Sequence, residues 1–216
     1  IDGVQEGLWT EWYEDGQKRR ERNFKDGERD STWTTWYENG NKKFLASYSD
    51  GKLNGKYIRW YEGGIIKELD GEYLNNKKHK KWIYWSKNGQ KTEEINYDNG
   101  VHHGSHIKWF GEKSDQHKKF HINYKDGDKN GNWHYWYSSG VDSLKATYLN
   151  GEKDGHWIWW RKNGLKDKEG FYKKEKKHGL WIIWNDSTGS AYHKLHEETY
   201  VCLLYTSDAA DDSYRV

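Results

Sequence analysis

Histidine is the residue type in this chain best placed to do chemistry. His102, His103, His106, His117 and His121 crowd into one short stretch, and imidazole can ligate a metal or move a proton near neutral pH. His103-x-x-His106 has a spacing found in metal sites. On a strand, however, residues three apart point to opposite faces, so the two rings cannot chelate one ion. His103 also shares a loop column with Glu6, Asp30, Asn54, Asn130, Asp154 and His178, all polar turn formers. Acidic pairs such as Glu93-Glu94 are adjacent and would splay apart on a strand, which is unsuited to shared acid–base work. There is no Gly-x-Ser-x-Gly motif, phosphate loop, dinucleotide fingerprint or zinc framework. The expectation is a non-enzyme with no catalytic residue, metal or cofactor. Any role for the five histidines stays open.

The elements that carry these residues are repeats. The stretch Trp33-Thr34-Thr35-Trp36-Tyr37-Glu38-Asn39-Gly40 returns eight times. Its second tryptophan stands at Trp12, Trp36, Trp60, Trp85, Trp109, Trp136, Trp160 and Trp184, without exception. Its first position is Trp9, Trp33, Tyr57, Trp82, His106, Trp133, Trp157 and Trp181, at steps of 24, 24, 25, 24, 27, 24 and 24 residues. A fixed period in this range signals a repeat array whose units contact mainly their neighbours.

Composition agrees. A mean hydropathy of −1.32 with 32% charged residues would suit a disordered chain, but 17% aromatics would not. The bulk sits in Trp and Tyr, which predicts a thin sheet without a thick aliphatic core. With 36 basic against 34 acidic residues, no net field favours nucleic acid or an anionic membrane. Lysine runs such as Lys77-Lys78-His79-Lys80-Lys81 read as solvated loops. No apolar run is long enough to span a membrane.

Each unit reads as a Trp strand, a two-residue turn (Asp15-Gly16, Asn39-Gly40, Gly63-Gly64, Asn88-Gly89, Ser139-Gly140, Asn163-Gly164 or Thr188-Gly189), a second strand ending on an aromatic, and a wider loop with two turn signals. The closing aromatics are Phe24, Tyr48, Tyr73, Tyr97, Tyr124, Tyr148, Tyr172 and Tyr200. Turn signals every ten to fourteen residues leave no room for a stable amphipathic helix, and the absence of proline suits continuous pairing. The fold class is therefore all-β: an elongated, twisted single-sheet meander of eight antiparallel hairpin repeats of about 24 residues.

Alternation along the pleat then divides each Trp strand into two faces. Counting the first aromatic as zero, position +1 (Thr10, Thr34, Ile58, Ile83, Ile107, His134, Ile158, Ile182) is mostly β-branched and shares a face with the invariant tryptophan at +3. This face is assigned the packed, structural role. In the second strand, the row two residues before the closing aromatic (Arg22, Ala46, Gly71, Ile95, Ile122, Ala146, Gly170, Glu198) also reads as buried. Position +2 varies: Glu11, Thr35, Arg59, Tyr84, Lys108, Tyr135, Trp159, Ile183. A varying column flanked by aromatics is where binding is expected, so Tyr84, Trp133, Tyr135, Tyr137, Trp157 and Trp159 are the candidate groove residues. Tyr135 and Trp159 would lie roughly 10 Å apart if each repeat adds two strands. The fifth unit is irregular, with His106 for tryptophan and Gly111-Glu112-Lys113-Ser114-Asp115 for its turn, which marks a weak joint or an inserted functional loop.

The unit Tyr124-Lys125-Asp126-Gly127-Asp128-Lys129-Asn130-Gly131-Asn132-Trp133-His134-Tyr135-Trp136-Tyr137 resembles the MORN-repeat variant of many bacterial proteins. The resemblance recurs in every unit over about residues 1–200. Departures are Ser31 and Lys80 where a loop glycine is expected, and Asn75-Asn76 and Glu175-Lys176 at the first loop turn. It implies stacked hairpins forming an elongated sheet with a groove. Bacterial relatives include antitoxins of toxin–antitoxin pairs, and MORN proteins elsewhere act as scaffolds or associate with membranes.

The two ends read as cut. The chain opens part-way through a unit, and Cys202-Leu203-Leu204-Tyr205-Thr206-Ser207-Asp208-Ala209-Ala210-Asp211 resembles a translated sequencing adapter. Residues 1–201 are thus expected to form one array, and 202–216 a non-native or disordered tail. The expected function is a protein-binding scaffold, antitoxin-like in one form. The alternatives are carbohydrate or cell-envelope binding through groove aromatics, and membrane-surface association. Compartment is left unassigned.

Overall fold

The computed structural model describes residues 3–111, 117–185 and 193–201. The loop residues 112–115, the Thr188-Gly189 turn and the 202–216 segment lie outside the described residues. Strands pair antiparallel in strict sequence order, from Gly7–Trp12 against Lys18–Lys25 through to Lys176–Trp184 against Lys194–Tyr200. The result is one open all-β meander. The described residues include no helix long and apolar enough to cross a membrane.

The tight turns lie between repeats. Asp26-Gly27, Asp50-Gly51, Asn75-Asn76, Asn99-Gly100, Asp126-Gly127, Asn150-Gly151 and Lys174-Glu175 each have positive φ at both residues and join strands paired on either side. That is the type I′ geometry whose twist matches a hairpin. The two-residue turn expected at the other end of the Trp strand is not one. There Tyr13 N–H donates to Gln17 O (2.8 Å) and Gly16 N–H to Tyr13 O (3.0 Å), a longer connection with only the glycine left-handed (φ 84°). In the seventh repeat the tight turn is Lys174-Glu175, one residue earlier than expected.

The second loop signal is a bulge within the Trp strand. Gly71 faces the three residues 80–82 between the paired positions Asp70–Ile83 and Glu72–His79. Lys80 at φ 58° and Ser31 at φ 56° hold the left-handed geometry that glycine holds elsewhere, so those departures leave the loop unchanged.

The bulge explains the core. It brings the first tryptophan of one repeat over the small-residue row of the preceding repeat. A Cβ on Gly71 would lie 2.3 Å from the Trp82 ring, and one on Gly170 2.2 Å from Trp181, so the close approach requires glycine. The indole N–H then donates to the carbonyl beside the break: Trp33 to Asn23 O (2.9 Å), Trp82 to Glu72 O (3.0 Å), Trp133 to Asn123 O (2.9 Å), Trp157 to Thr147 O (3.1 Å) and Trp181 to Phe171 O (3.0 Å). Tilted and edge-on contacts between these indoles and the closing aromatics run along the array, for example Trp133–Tyr148 at 4.8 Å and Tyr148–Trp157 at 5.1 Å between ring centres.

The face assignment is therefore reversed. Trp82, Trp133, Trp157 and Trp181 are 2–6% exposed and Trp33 is half-buried, while in the first repeat both rings are open, Trp9 at 45% and Trp12 at 58%. The other seven tryptophans of the +3 column are half-buried. Of the +1 column, Thr34 and Ile58 are buried and the rest half-buried. The small row is buried as expected at Ala46, Gly71, Ile95, Ile122, Ala146 and Gly170.

Repeats are also stapled at one edge. The hydroxyls of Tyr13, Tyr37, Tyr61 and Tyr137 each donate to the +3 tryptophan carbonyl of the next repeat at 2.8 Å. Arg161 does the same through its guanidinium to Trp184 O (2.7 Å). Ser86, at the same position, turns back to Gln90 O (3.2 Å), and Phe110 has no hydroxyl to offer.

Candidate functional site

Four columns of the aromatic face repeat, and two do not. The recurring columns are the first-position aromatics, the row two before the closing aromatic, the closing aromatics and a cation four residues before five of the six first-position indoles, Gln5 preceding Trp9. Arg29, Lys78, Lys129, Lys153 and Lys177 lie 4.4–5.3 Å from the centres of Trp33, Trp82, Trp133, Trp157 and Trp181. Each also sits over its own closing tyrosine, at 4.6–5.5 Å. Where the tryptophan is replaced by Tyr57 or His106, the cation is replaced by Leu53 or His102. The lysine runs are thus not simply solvated. Lys78 rests on Trp82 and also donates to the Tyr84 hydroxyl (3.0 Å).

The two varying columns lie side by side. Position +2 pairs directly across the hairpin with the residue four before the closing aromatic: Glu11–Arg20, Thr35–Phe44, Arg59–Leu69, Tyr84–Glu93, Lys108–Phe120, Tyr135–Leu144, Trp159–Lys168 and Ile183–His196. These pairs form a strip along the array, bounded by the indole ladder on one side and the stapling tyrosines on the other. Reading the sequence found the first column and missed the second, although the same period marks it.

The predicted groove residues divide accordingly. Trp133 and Trp157 are core, clustered with Ile122, Ala146 and Tyr148. Tyr135 and Trp159 belong to the strip and pack half-buried on that cluster, with Phe120 and Leu144 beside them. Trp159 lies 5.5 Å from Trp157 and 6.0 Å from Trp181 between ring centres, with Lys168 over its face at 5.0 Å. Burial pushes the Tyr135 phenol up to about 12. Tyr84 is half-buried in the strip, and burial followed by the nearby Glu93 charge raises its pKa. Tyr137 is a staple at the edge.

The histidines do not converge. His106 occupies the indole column, 9% exposed, with Nε2 2.7 Å from Glu93 and Nδ1 buried without a partner. The His106 hydrogen bond, followed by the Lys108 charge, holds the Glu93 carboxyl below its ordinary range against the opposing effect of burial. His102 packs between Tyr97 and Tyr124 at 4.9 and 5.0 Å. His103 is exposed beside Asp126 (3.1 Å), and His117 lies under the Gly140 turn. His121 is on the opposite face, 2.9 Å from Ser105 Oγ. Among the described residues, no group of three or more His, Cys, Asp or Glu side chains is placed to hold a metal ion.

A family model described as MORN repeat variant matches residues 5–26, 29–50 and 78–99. These are the first, second and fourth repeats. Each match runs from the position four before the first-position tryptophan to the first residue of the tight turn. No curated protein matches the chain. Repeats of this kind are generally found in proteins that mediate binding.

Proposed function

We propose that the chain is a non-catalytic binding array that holds another protein along the variable strip. One observation carries this reading. The scaffold columns recur from repeat to repeat, while the paired strip residues change on a face over which no second layer packs among the described residues. Aromatic and aliphatic side chains at Phe120, Tyr135, Leu144 and Trp159 supply the anchor, since half-exposed aromatics supported from beneath are the usual energetic centre of an interface. Among partners, an antitoxin-like arrangement, with the array sequestering a second protein, is the finer form suggested by the family resemblance.

Carbohydrate binding is the second reading, favoured by the row Trp157, Trp159 and Trp181, whose neighbouring planes both meet at 37°. One experiment separates the two. Tyr135→Thr with Trp159→Arg uses residues already found in the same column, at Thr35 and Arg59, so the fold should survive. Affinity capture from source-cell extract with mass spectrometry, run beside a glycan array, should show a protein retained by the wild type. The double variant should hold it at least about tenfold more weakly. Glycan retention alone would favour the second reading, and equal capture by both chains would remove the strip from the interface.

A further inference from the structure

We propose that the strip carries, over its first three repeats, a subsite for an extended acidic polypeptide segment. It rests on the reading of the chain as a protein-binding array and names the chemistry of one stretch of the partner. A cavity of about 490 Å³ opens there, and Arg19, Arg20, Lys43 and Arg59 line it without any carboxylate. Its remaining walls are aromatic, chiefly Tyr13, Tyr37 and Phe44.

Two of the four cations are unspent. Arg19 lies over the Tyr13 ring at 5.9 Å and Lys43 over Tyr37 at 5.2 Å, and neither has an ion-pair partner among the described residues. Arg20 and Arg59 are steered by Glu11 (2.7 Å) and Glu68 (3.0 Å), and each keeps donors on its guanidinium fork for a further carboxylate. The later repeats lack this arrangement. From the third repeat onward the positions equivalent to Arg19 and Lys43 are Glu68, which pairs with Arg59, then Thr92, Lys119, Ser143, Asp167 and Leu195, only one of the six basic. Five of the seven arginines in the chain fall within its first 59 residues, although lysine is used throughout. Arginine is thus concentrated where the cavity is, and planar bidentate recognition of carboxylates is what it does better than lysine.

Spacing selects the extended chain. Cations contributed by successive repeats recur roughly every 10 Å, twice the strand separation of about 4.8 Å. An extended peptide advances about 3.3 Å per residue. Acidic side chains three residues apart therefore meet cations one repeat apart, while the aromatic walls hold the intervening residues.

The test uses the full chain and a fluorescent peptide with glutamate at every third position in a Gly-Ser background. A glutamine version of the peptide, inorganic phosphate and phosphatidylserine vesicles serve as competitors. The glutamate peptide should bind and the glutamine peptide should not, with affinity falling as salt is raised. Arg19→Gln with Lys43→Gln, both on exposed side chains, should weaken binding about tenfold or more, while the melting temperature stays unchanged. Tyr135→Thr with Trp159→Arg should leave it intact, which separates failure of this subsite from failure of the aromatic anchor farther along the strip. Equal binding of the glutamine peptide, indifference to the Arg19/Lys43 double substitution, or preferential displacement by phosphate or vesicles would each overturn the proposal.

Discussion

In six of the eight repeats two tryptophans stand three residues apart on opposite faces of one sheet, and they live differently. At Trp33, Trp82, Trp133, Trp157 and Trp181 the first crosses a bulge to the preceding repeat, gives its N–H to a backbone carbonyl there and carries a cation on its outer surface. The second is half-exposed, covered in places by lysine, as at Trp160 beneath Lys145 (5.1 Å). It contributes its backbone carbonyl to the tyrosine staple. In a single-layer sheet, burial has to come from the neighbouring repeat rather than from an opposing layer. The ring that reaches across the repeat boundary becomes the core, and the ring that stays above its own hairpin does not. Invariance along the chain is therefore a poor guide to burial here. The column that never changes is the less buried one, and the column that tolerates Tyr57 and His106 is the core.

The strongest way to break this comparison is to truncate both rings in one repeat. Trp133→Ala should cost about 3–5 kcal/mol, as expected for a buried aromatic, and Trp136→Ala roughly half as much or less. Urea unfolding of the two variants should show the difference directly, and equal losses would return the two faces to equivalence.

A smaller effect isolates the contact across the boundary. Gly170→Ala places a methyl against the Trp181 ring and should destabilise by about 1–3 kcal/mol through overpacking. Gly63→Ala, with open space around the added atom, should be close to neutral in the same melts. A neutral Gly170→Ala would mean that the indole does not rest on that backbone.

The mildest test sharpens the contrast at the irregular middle, where histidines replace scaffold residues. Burial holds His102, His121 and His134 below the ordinary imidazole value of 6.5. As pH falls below about 6.5 the unfolded chain takes up protons before the folded one, so stability should decline and then level off once the folded histidines protonate. The depressed Glu93 works in the same direction at lower pH. Its contribution is complete above about 4.5 and is lost as pH drops below that value. Melting temperature measured from pH 8 to pH 4 should fall in these two stages. In the His102→Leu variant, which copies Leu53, the upper stage should shrink.

Much of the architecture was legible because a strict period and paired turn residues leave few alternatives. The eight hairpins, the absence of helix among the described residues, the buried row and the varying +2 column all follow from spacing and side-chain type. The candidate site was half legible. Tyr135 and Trp159 fall on the strip, but Trp133 and Trp157 lie beneath it, and the partner column from Arg20 to His196 went unread because its register depends on hairpin pairing. The Asn-Gly pairs misled for a related reason. They suit a type I′ turn and equally a longer connection closed by a left-handed glycine, and only the strand register distinguishes these.

What the sequence determined alone is periodicity and parity: hairpins of about 24 residues, with two tryptophans forced onto opposite faces by the pleat. Parity is silent on which face packs, because both are aromatic. That choice belongs to the tertiary structure. A bulge at Ser31, Lys80 or its glycine equivalents carries one indole over the preceding strand, where a carbonyl accepts its N–H and, at Gly71 and Gly170, the missing side chain makes room.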